Sequence, residues 1–197
     1  HLPAHLNLVD PDDQARQHCF HVYEKGILAA HLVGADVVVI HGGMHPDLER
    51  GYDLSCEALA LLSQQAADYG VRLALENSEN APEKLFCHPD DFERVASLEN
   101  LFVVMDVGHL ATMGFTIADA LRYDVIRSRL VEVHLHDNDK KLDHHWALGE
   151  GDIDLPSAFD ALAECGFEGV YTVEAKSTPG LIKSAEYLRL AETTRAG

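Results

Sequence analysis

The stretch Val131–Asp154, VEVHLHDNDKKLDHHWALGEGDID, decides how the rest of the chain is read. It opens as a β-branched apolar run, the pattern of a buried strand, and then changes character. His134, His136, Asp137, Asp143, His144 and His145 fall within twelve residues, and Gly149-Glu150-Gly151-Asp152 closes the segment as a turn. Imidazole nitrogens and carboxylate oxygens gathered just past a strand end form a donor set for a divalent metal. The mixture suits Zn²⁺, Mn²⁺ or Fe²⁺ better than Ca²⁺. A solvated acidic loop with incidental histidines is the plainer alternative, and the neighbouring strands decide between the two.

Working outward, apolar runs recur and end alike. Ala35–Ile40 runs into His41, Val71–Leu75 into Glu76, and Leu101–Met105 into Asp106 with His109 a turn further on. Leu130–Leu135 carries His134, Val170–Val173 ends at Glu174, and His1–Leu8 reads as a strand end entering a loop. Between them lie amphipathic segments. Asp10 as cap and Pro11 at the first position start a helix running to about Val33. Further helices are expected over Asp53–Tyr69, Pro89–Ser97, Thr116–Arg129, Pro156–Cys165 and about Ile182–Thr193.

Apolar strands alternating with amphipathic helices imply right-handed βαβ units and a parallel sheet. Every strand, counting the fragment at His1, ends in His, Asp or Glu, and a (β/α)8 TIM barrel brings all such ends to one face. A doubly wound sheet would not converge so many ends, and no Gly-rich dinucleotide fingerprint follows the first strands. The expected fold is therefore an α/β (β/α)8 barrel. Only six strands are visible, so the first two βα units, on the order of 50–60 residues, are expected upstream of His1 or from a partner. Residues 1–197 are read as one domain, incomplete at its N-terminus.

Composition narrows the partners. With 15 Lys and Arg against 33 Asp and Glu the formal charge is −18, which disfavours a nonspecific grip on nucleic-acid phosphates. A bound metal cluster would cancel part of that charge locally. The 13 histidines are the compositional hint of chemistry. Cys19, Cys56, Cys87 and Cys165 lie far apart without a C-x-x-C pair, which fits free thiols and a reducing cytoplasm. No apolar run reaches membrane-spanning length and no signal peptide is seen.

Each strand-end residue alone has a dull reading: a turn for His41, a solvated carboxylate for Glu76 or Glu174, a helix cap for Asp106 beside His109. Agreement in position across successive strands favours a shared metal site. His18, His21 and His31 read as ordinary helix residues, and His5, His45 and His88 lack strand-end context. Trp146 packs a loop or lines a pocket, and Glu150 shapes the glycine turn.

The motifs VVIHGG, LALENS, MDVGHL, VHLHDND, the D-x-H of Asp143 and His145, LGEGDID and YTVE resemble the xylose isomerase-like barrel superfamily over essentially the whole chain. That superfamily holds sugar phosphate isomerases and epimerases together with endonuclease IV. The resemblance implies metal ligands at His1, His41, Glu76, Asp106, His109, His134, Asp143, His145 and Glu174, holding one to three ions. Zinc or manganese is expected, with iron, magnesium or cobalt also accommodated. In the isomerase and epimerase branch Glu76, Asp106, His134 and Glu174 would hold one ion, with Glu76 and Glu174 as the acid/base pair and His109 assisting. His41, His136 and Lys140 are expected to meet the substrate.

Two functions follow from the resemblance. The first is a metal-dependent sugar or sugar-phosphate isomerase or epimerase, moving a proton between Glu76 and Glu174 through an enediolate. The second is a zinc-dependent hydrolase of abasic DNA, the one case with a DNA partner. VGHLATMG stands where the nucleases have D-x-C-H and an FAAG-like run, SENAPEKLF replaces a Thr/Gly-rich segment, and Ala4 replaces an aromatic. With the net acidity, these departures favour the first. A barrel that binds metal or sugar without turnover has no sequence feature to recommend it. No membrane partner is expected, a homo-oligomer is compatible with the sequence, and no phosphate cradle is visible in it.

Overall fold

The structure, a computed structural model, describes residues 1–195. Five parallel strands pair in chain order: β1 (Val37–His41), β2 (Arg72–Glu76), β3 (Leu101–Asp106), β4 (Leu130–Leu135) and β5 (Val170–Val173). Each crossover steps to the next neighbour, so the order never reverses as it does in a doubly wound sheet. The curled sheet with its outer helices is a TIM-barrel fold. Residues 1–8 form turns and not a regular strand, yet the Leu2 N–H donates to the Val39 carbonyl at 2.9 Å. His1 and Leu2 thus lie along the free edge of β1, where a preceding strand would run.

Strand periodicity sets which residues face inward. Val39, Ala74 and Val104 form an inner apolar cluster, and His41, Glu76 and Asp106 lie two residues further along the same faces. The opposite faces, including Ile40, Leu75, Met105, Val133 and Leu135, pack into the main core beneath the helices. Register aligns the polar ends: His41 pairs with Glu76, and Asp106 with His134. A bulge at Val131 keeps this alignment, since Val103 pairs with Leu130 while Val104 pairs with Glu132.

The helices are α1 (Asp13–Val33), α2 (Leu48–Asp68), α3 (Val107–Thr112), α4 (Ile117–Ala120), α5 (Asp124–Arg129), α6 (Leu155–Glu164) and α7 (Thr178–Arg195). Several differ from the sequence expectation. Asp12, not Asp10, caps α1 by accepting from the Gln14 N–H, and Asp10 accepts from the Asp12 N–H just before the helix. Helix α2 begins at Leu48 and takes Gly51 inside it, where a Cβ would lie 2.7 Å from His45 Cβ. The segment Pro89–Val95 is a 3₁₀ helix, and Thr116–Arg129 divides into α4 and α5. Among the described residues no helix is long and apolar enough to cross a membrane.

Candidate metal centre

All nine residues expected to bind metal come together at the carboxyl ends of the strands. Their donor atoms, joined by those of His136, form three groups, each with its atoms within 4.8 Å of one another. One is Glu76, Asp106, His134 and Glu174; a second is His1, His41 and Glu76; the third is His109, His136, Asp143 and His145. Glu76 belongs to two groups and so stands where a bridging carboxylate would.

The histidines are aimed by what holds the far side of each ring. His109 Nδ1 lies 2.8 Å from the Asn77 carbonyl, His145 Nδ1 2.7 Å from the Glu174 carbonyl, and His1 Nδ1 2.7 Å from the Leu2 carbonyl. Once neutral, a ring that donates Nδ1–H to a carbonyl has a bare Nε2, the arrangement usual for a metal ligand. His134 is reversed. Its Nε2 faces Glu132 at 3.3 Å, and Nδ1 points inward, 2.8 Å from Glu76 Oε1 and 3.5 Å from Glu174 Oε1.

Asp106 fulfils both readings of its position. One carboxylate oxygen, Oδ1, caps α3 by accepting from the His109 N–H at 2.8 Å. Its other oxygen is buried without a hydrogen-bond partner, and His136 Nε2 and Asp143 Oδ1 lie 3.3 Å apart, buried and without a hydrogen bond of good geometry. Orphaned atoms of this kind are costly unless something binds them. Together with the mixed imidazole and carboxylate donors, they fit a divalent cation of the zinc or manganese type.

Charges are strongly coupled at this face. Burial alone would raise the Glu76 pKa, but hydrogen bonds from His1 and His134 hold it well below the usual carboxylate range. Asp106, fully enclosed, is likewise held low by the charges of His109 and His136, against its burial. Burial opposes the imidazolium of His134, yet Glu132, Glu76 and Glu174 push its pKa up to about 11. His109 rises to about 10 against the same penalty, through Asp106, Asp143 and Glu76. His41 goes the other way: burial lowers it to about 4, so it is a neutral donor at physiological pH.

Two expected substrate contacts lie elsewhere. His136 is completely buried and stacks on His145 with ring centres 3.9 Å apart, its Nε2 3.0 Å from Asp106 Oδ1. It belongs with the ligand groups, behind the surface a substrate would touch. Lys140 lines a separate cleft of about 210 Å³ with Val107, Ile153 and Asp154. His41, by contrast, lines the cavity of about 200 Å³ over the centre, with His1, Glu76, His109, His145 and Glu174.

Several further residues shape the site. Asn77 clamps the end of β3, its Oδ1 accepting from the Asp106 N–H at 2.7 Å and its Nδ2 donating to the Asp106 carbonyl at 3.2 Å. Glu132 lies two residues before His134 on the same strand face, a period-2 relation that could have revealed it. Thr172 on β5 hydrogen-bonds Glu132. Glu79 and Lys84 form an ion pair at the cavity mouth. Asp137 is structural: its buried carboxylate accepts from Asn138, Gly149 and Ile153 backbone N–H groups and holds the glycine turn.

Fold and site together define a TIM barrel with a cluster of imidazole and carboxylate groups, able to hold a divalent metal, at the carboxyl ends of its strands. The chain belongs to the xylose isomerase-like TIM barrel family, which it matches over residues 1–191. An uncharacterised protein of Methanocaldococcus jannaschii is 29% identical over 96% of this chain and 68% of its own length. An inosose dehydratase of Clostridium botulinum is 26% identical, over 75% of this chain and 55% of that protein. A probable endonuclease 4 of Mycobacterium tuberculosis is also 26% identical, over 78% and 64%. The chain thus spans between 55% and 68% of these relatives.

Among solved structures, a D-tagatose 3-epimerase-like protein superposes with a TM-score of 0.90 at 27% identity, covering 98% of this chain and 76% of that one. A Thermus thermophilus protein whose crystals were soaked with ZnCl₂ superposes with a TM-score of 0.73 at 27% identity, over 97% and 75%.

Proposed function

We propose that the protein is a divalent-metal-dependent isomerase or epimerase of sugars or sugar phosphates. The observation that carries this reading is the group formed by Glu76, Asp106, His134 and Glu174, in which two glutamates share one cluster of donor atoms within 4.8 Å of one another. The epimerase-like structure that superposes at 0.90 supports the same substrate class.

When bound, a zinc or manganese ion would polarise the substrate carbonyl and acidify the proton on the adjacent carbon. The chain's own residues do the rest. Glu174 is the more exposed of the pair, at 29% for its side chain against 2% for Glu76, and meets the carbon-bound proton. Glu76, kept ionised by His1 and His134, receives or returns a proton on the opposite side. His109, its ring fixed by Asn77, orients a substrate hydroxyl or a second ion. The cavity over the centre, about 200 Å³, accommodates a small molecule.

A second reading has its own observation. Glu76 is shared between two ligand groups and a third group stands beside them, so up to three ions find donors, as metal-assisted phosphodiester hydrolysis would use. The similarity to a probable endonuclease 4 points the same way. The net charge of −18 opposes a DNA partner. The two readings separate when metal-loaded protein is offered a panel of ketoses and ketose phosphates and, in parallel, a duplex with one abasic site, with and without chelator. Chelator-sensitive interconversion of a ketose supports the isomerase; chelator-sensitive incision with an inert sugar panel would replace it with the nuclease.

A further inference from the structure

Beside the metal cavity lies a second one of about 150 Å³, and the two share His41 and Lys84 in their walls. Their linings differ in sign. The metal cavity is walled by Glu76, Glu79, Asp143 and Glu174. The second takes its polar atoms from His5, Asn7, His41, Ser78 and Lys84, and among the described residues no carboxylate lines it. In a chain with 33 acidic and 15 basic residues, a pocket without an acid is an unusual concavity. Lys84 is the one Lys or Arg lining either cavity.

The wall that carries Lys84 is built, not incidental. Met44 and Lys84 form an antiparallel bridge, flanked by His45 N–H to the Glu83 carbonyl at 2.8 Å and Leu85 N–H to the Gly43 carbonyl at 3.0 Å. Asn7 spends its amide on the same wall, donating to the Met44 carbonyl at 2.8 Å and accepting from the Met44 N–H at 3.1 Å. The Lys84 ammonium is held at the junction by Glu79, whose other oxygen lies 4.0 Å from His109 Nε2. An ammonium has three donors and Glu79 engages one, so the others remain to meet an anion.

We propose that this second cavity is an anion subsite with Lys84 as its charged ligand. The substrate at the metal centre is then a sugar carrying a phosphate or a carboxylate, with its reacting carbons over the metal and its charge beyond Lys84. The inference rests on the isomerase or epimerase reading for what occupies the metal cavity. Lys84 acts as a specificity residue: it selects the charged sugar and takes no part in proton transfer.

Calorimetric titration of the zinc-loaded protein tests this. The probes are D-fructose, D-tagatose and D-ribulose, each compared with its terminal monophosphate, and the hexoses also with their 6-carboxylates. For at least one sugar the charged form should bind about tenfold or more tightly than the neutral form, as expected for a charge-assisted contact. Lys84→Gln should reduce that ratio to about threefold or less, while Lys84→Arg should restore most of it. Whether phosphate or carboxylate gains the advantage identifies the anion. No advantage for any charged sugar overturns the proposal, and so does an advantage unaltered in Lys84→Gln, which would put the anion on the metal. Solvent exchange of the substrate's α-proton is read separately. Lys84-dependent binding without exchange would remove the isomerase reading and leave the subsite standing.

Discussion

His134 presents its Nε2 to Glu132 at 3.3 Å on the side of the ring that faces away from Glu76. The carboxylate fixes the tautomer that frees Nδ1 for the centre, and Thr172 holds the carboxylate from the next strand. Outer partners of this kind make metal ligands more basic and orient them. Glu132→Gln should therefore weaken metal binding by about 10- to 100-fold, measured by competition with a chromophoric chelator. Unchanged affinity would show that Glu132 does not set the ring.

Metal uptake must displace protons. His134 holds its proton up to a pKa of about 11 and His109 to about 10, so both are charged near neutrality without metal. Binding at the Glu76–Asp106–His134–Glu174 group should release about one proton per ion at pH 7–8, and affinity should rise with pH. Titrations in buffers of different ionisation enthalpy measure the number. Zero release would mean that His134 is already neutral.

The same shifts set the stability of the metal-free protein. His134 is raised from 6.5, so its contribution is complete below about 6.5 and is lost as pH climbs through about 11. Glu76 is lowered from 4.5, so its contribution is complete above about 4.5 and is lost as pH falls toward its folded value. Metal-free protein should be most resistant to urea between these limits, and a steady gain in stability from pH 8 to 11 would contradict the pairing.

Gly108 packs against the face of His136, where an added Cβ would lie 1.9 Å from Cε1. Gly108→Ala should cost about 1–3 kcal/mol in urea unfolding, as overpacking does, and should weaken the third ligand group by moving His136. A variant with unaltered stability and metal content would mean that the ring has room to yield.

Asp143 belongs to that third group alone. Asp143→Ala should lower the number of tightly bound ions by one in elemental analysis and leave the ion of the Glu76 group in place. Loss of all metal would show that the groups fill as a single unit.

Much of this was legible because it depends on local pattern. The β-branched runs of β4 and β5 have the expected bounds, and period-2 alternation puts His41, Glu76 and Asp106 inside the barrel. What escaped depends on backbone turns and tertiary contacts. His136 shares the parity of His134, but β4 ends at Leu135, and the chain then buries the ring behind Asp106. Lys140, in a left-handed conformation at φ 61°, lines another cleft. The start of α2 at Leu48, ahead of the expected Asp53, takes in Gly51, which packs against His45. Lys84 gains meaning only when the loops after β1 and β2 are joined across the Met44 bridge.

The most direct test of the account follows the substrate's α-proton by NMR in D₂O, with metal-loaded wild-type protein and Glu174→Gln acting on the ketose or ketose phosphate that binds best. Chelator-sensitive deuterium incorporation at the carbon next to the carbonyl is expected for the wild type, and a fall of about 10²- to 10⁴-fold in Glu174→Gln with metal still bound. Exchange at the wild-type rate in Glu174→Gln, or none in the metal-loaded wild type, would contradict it.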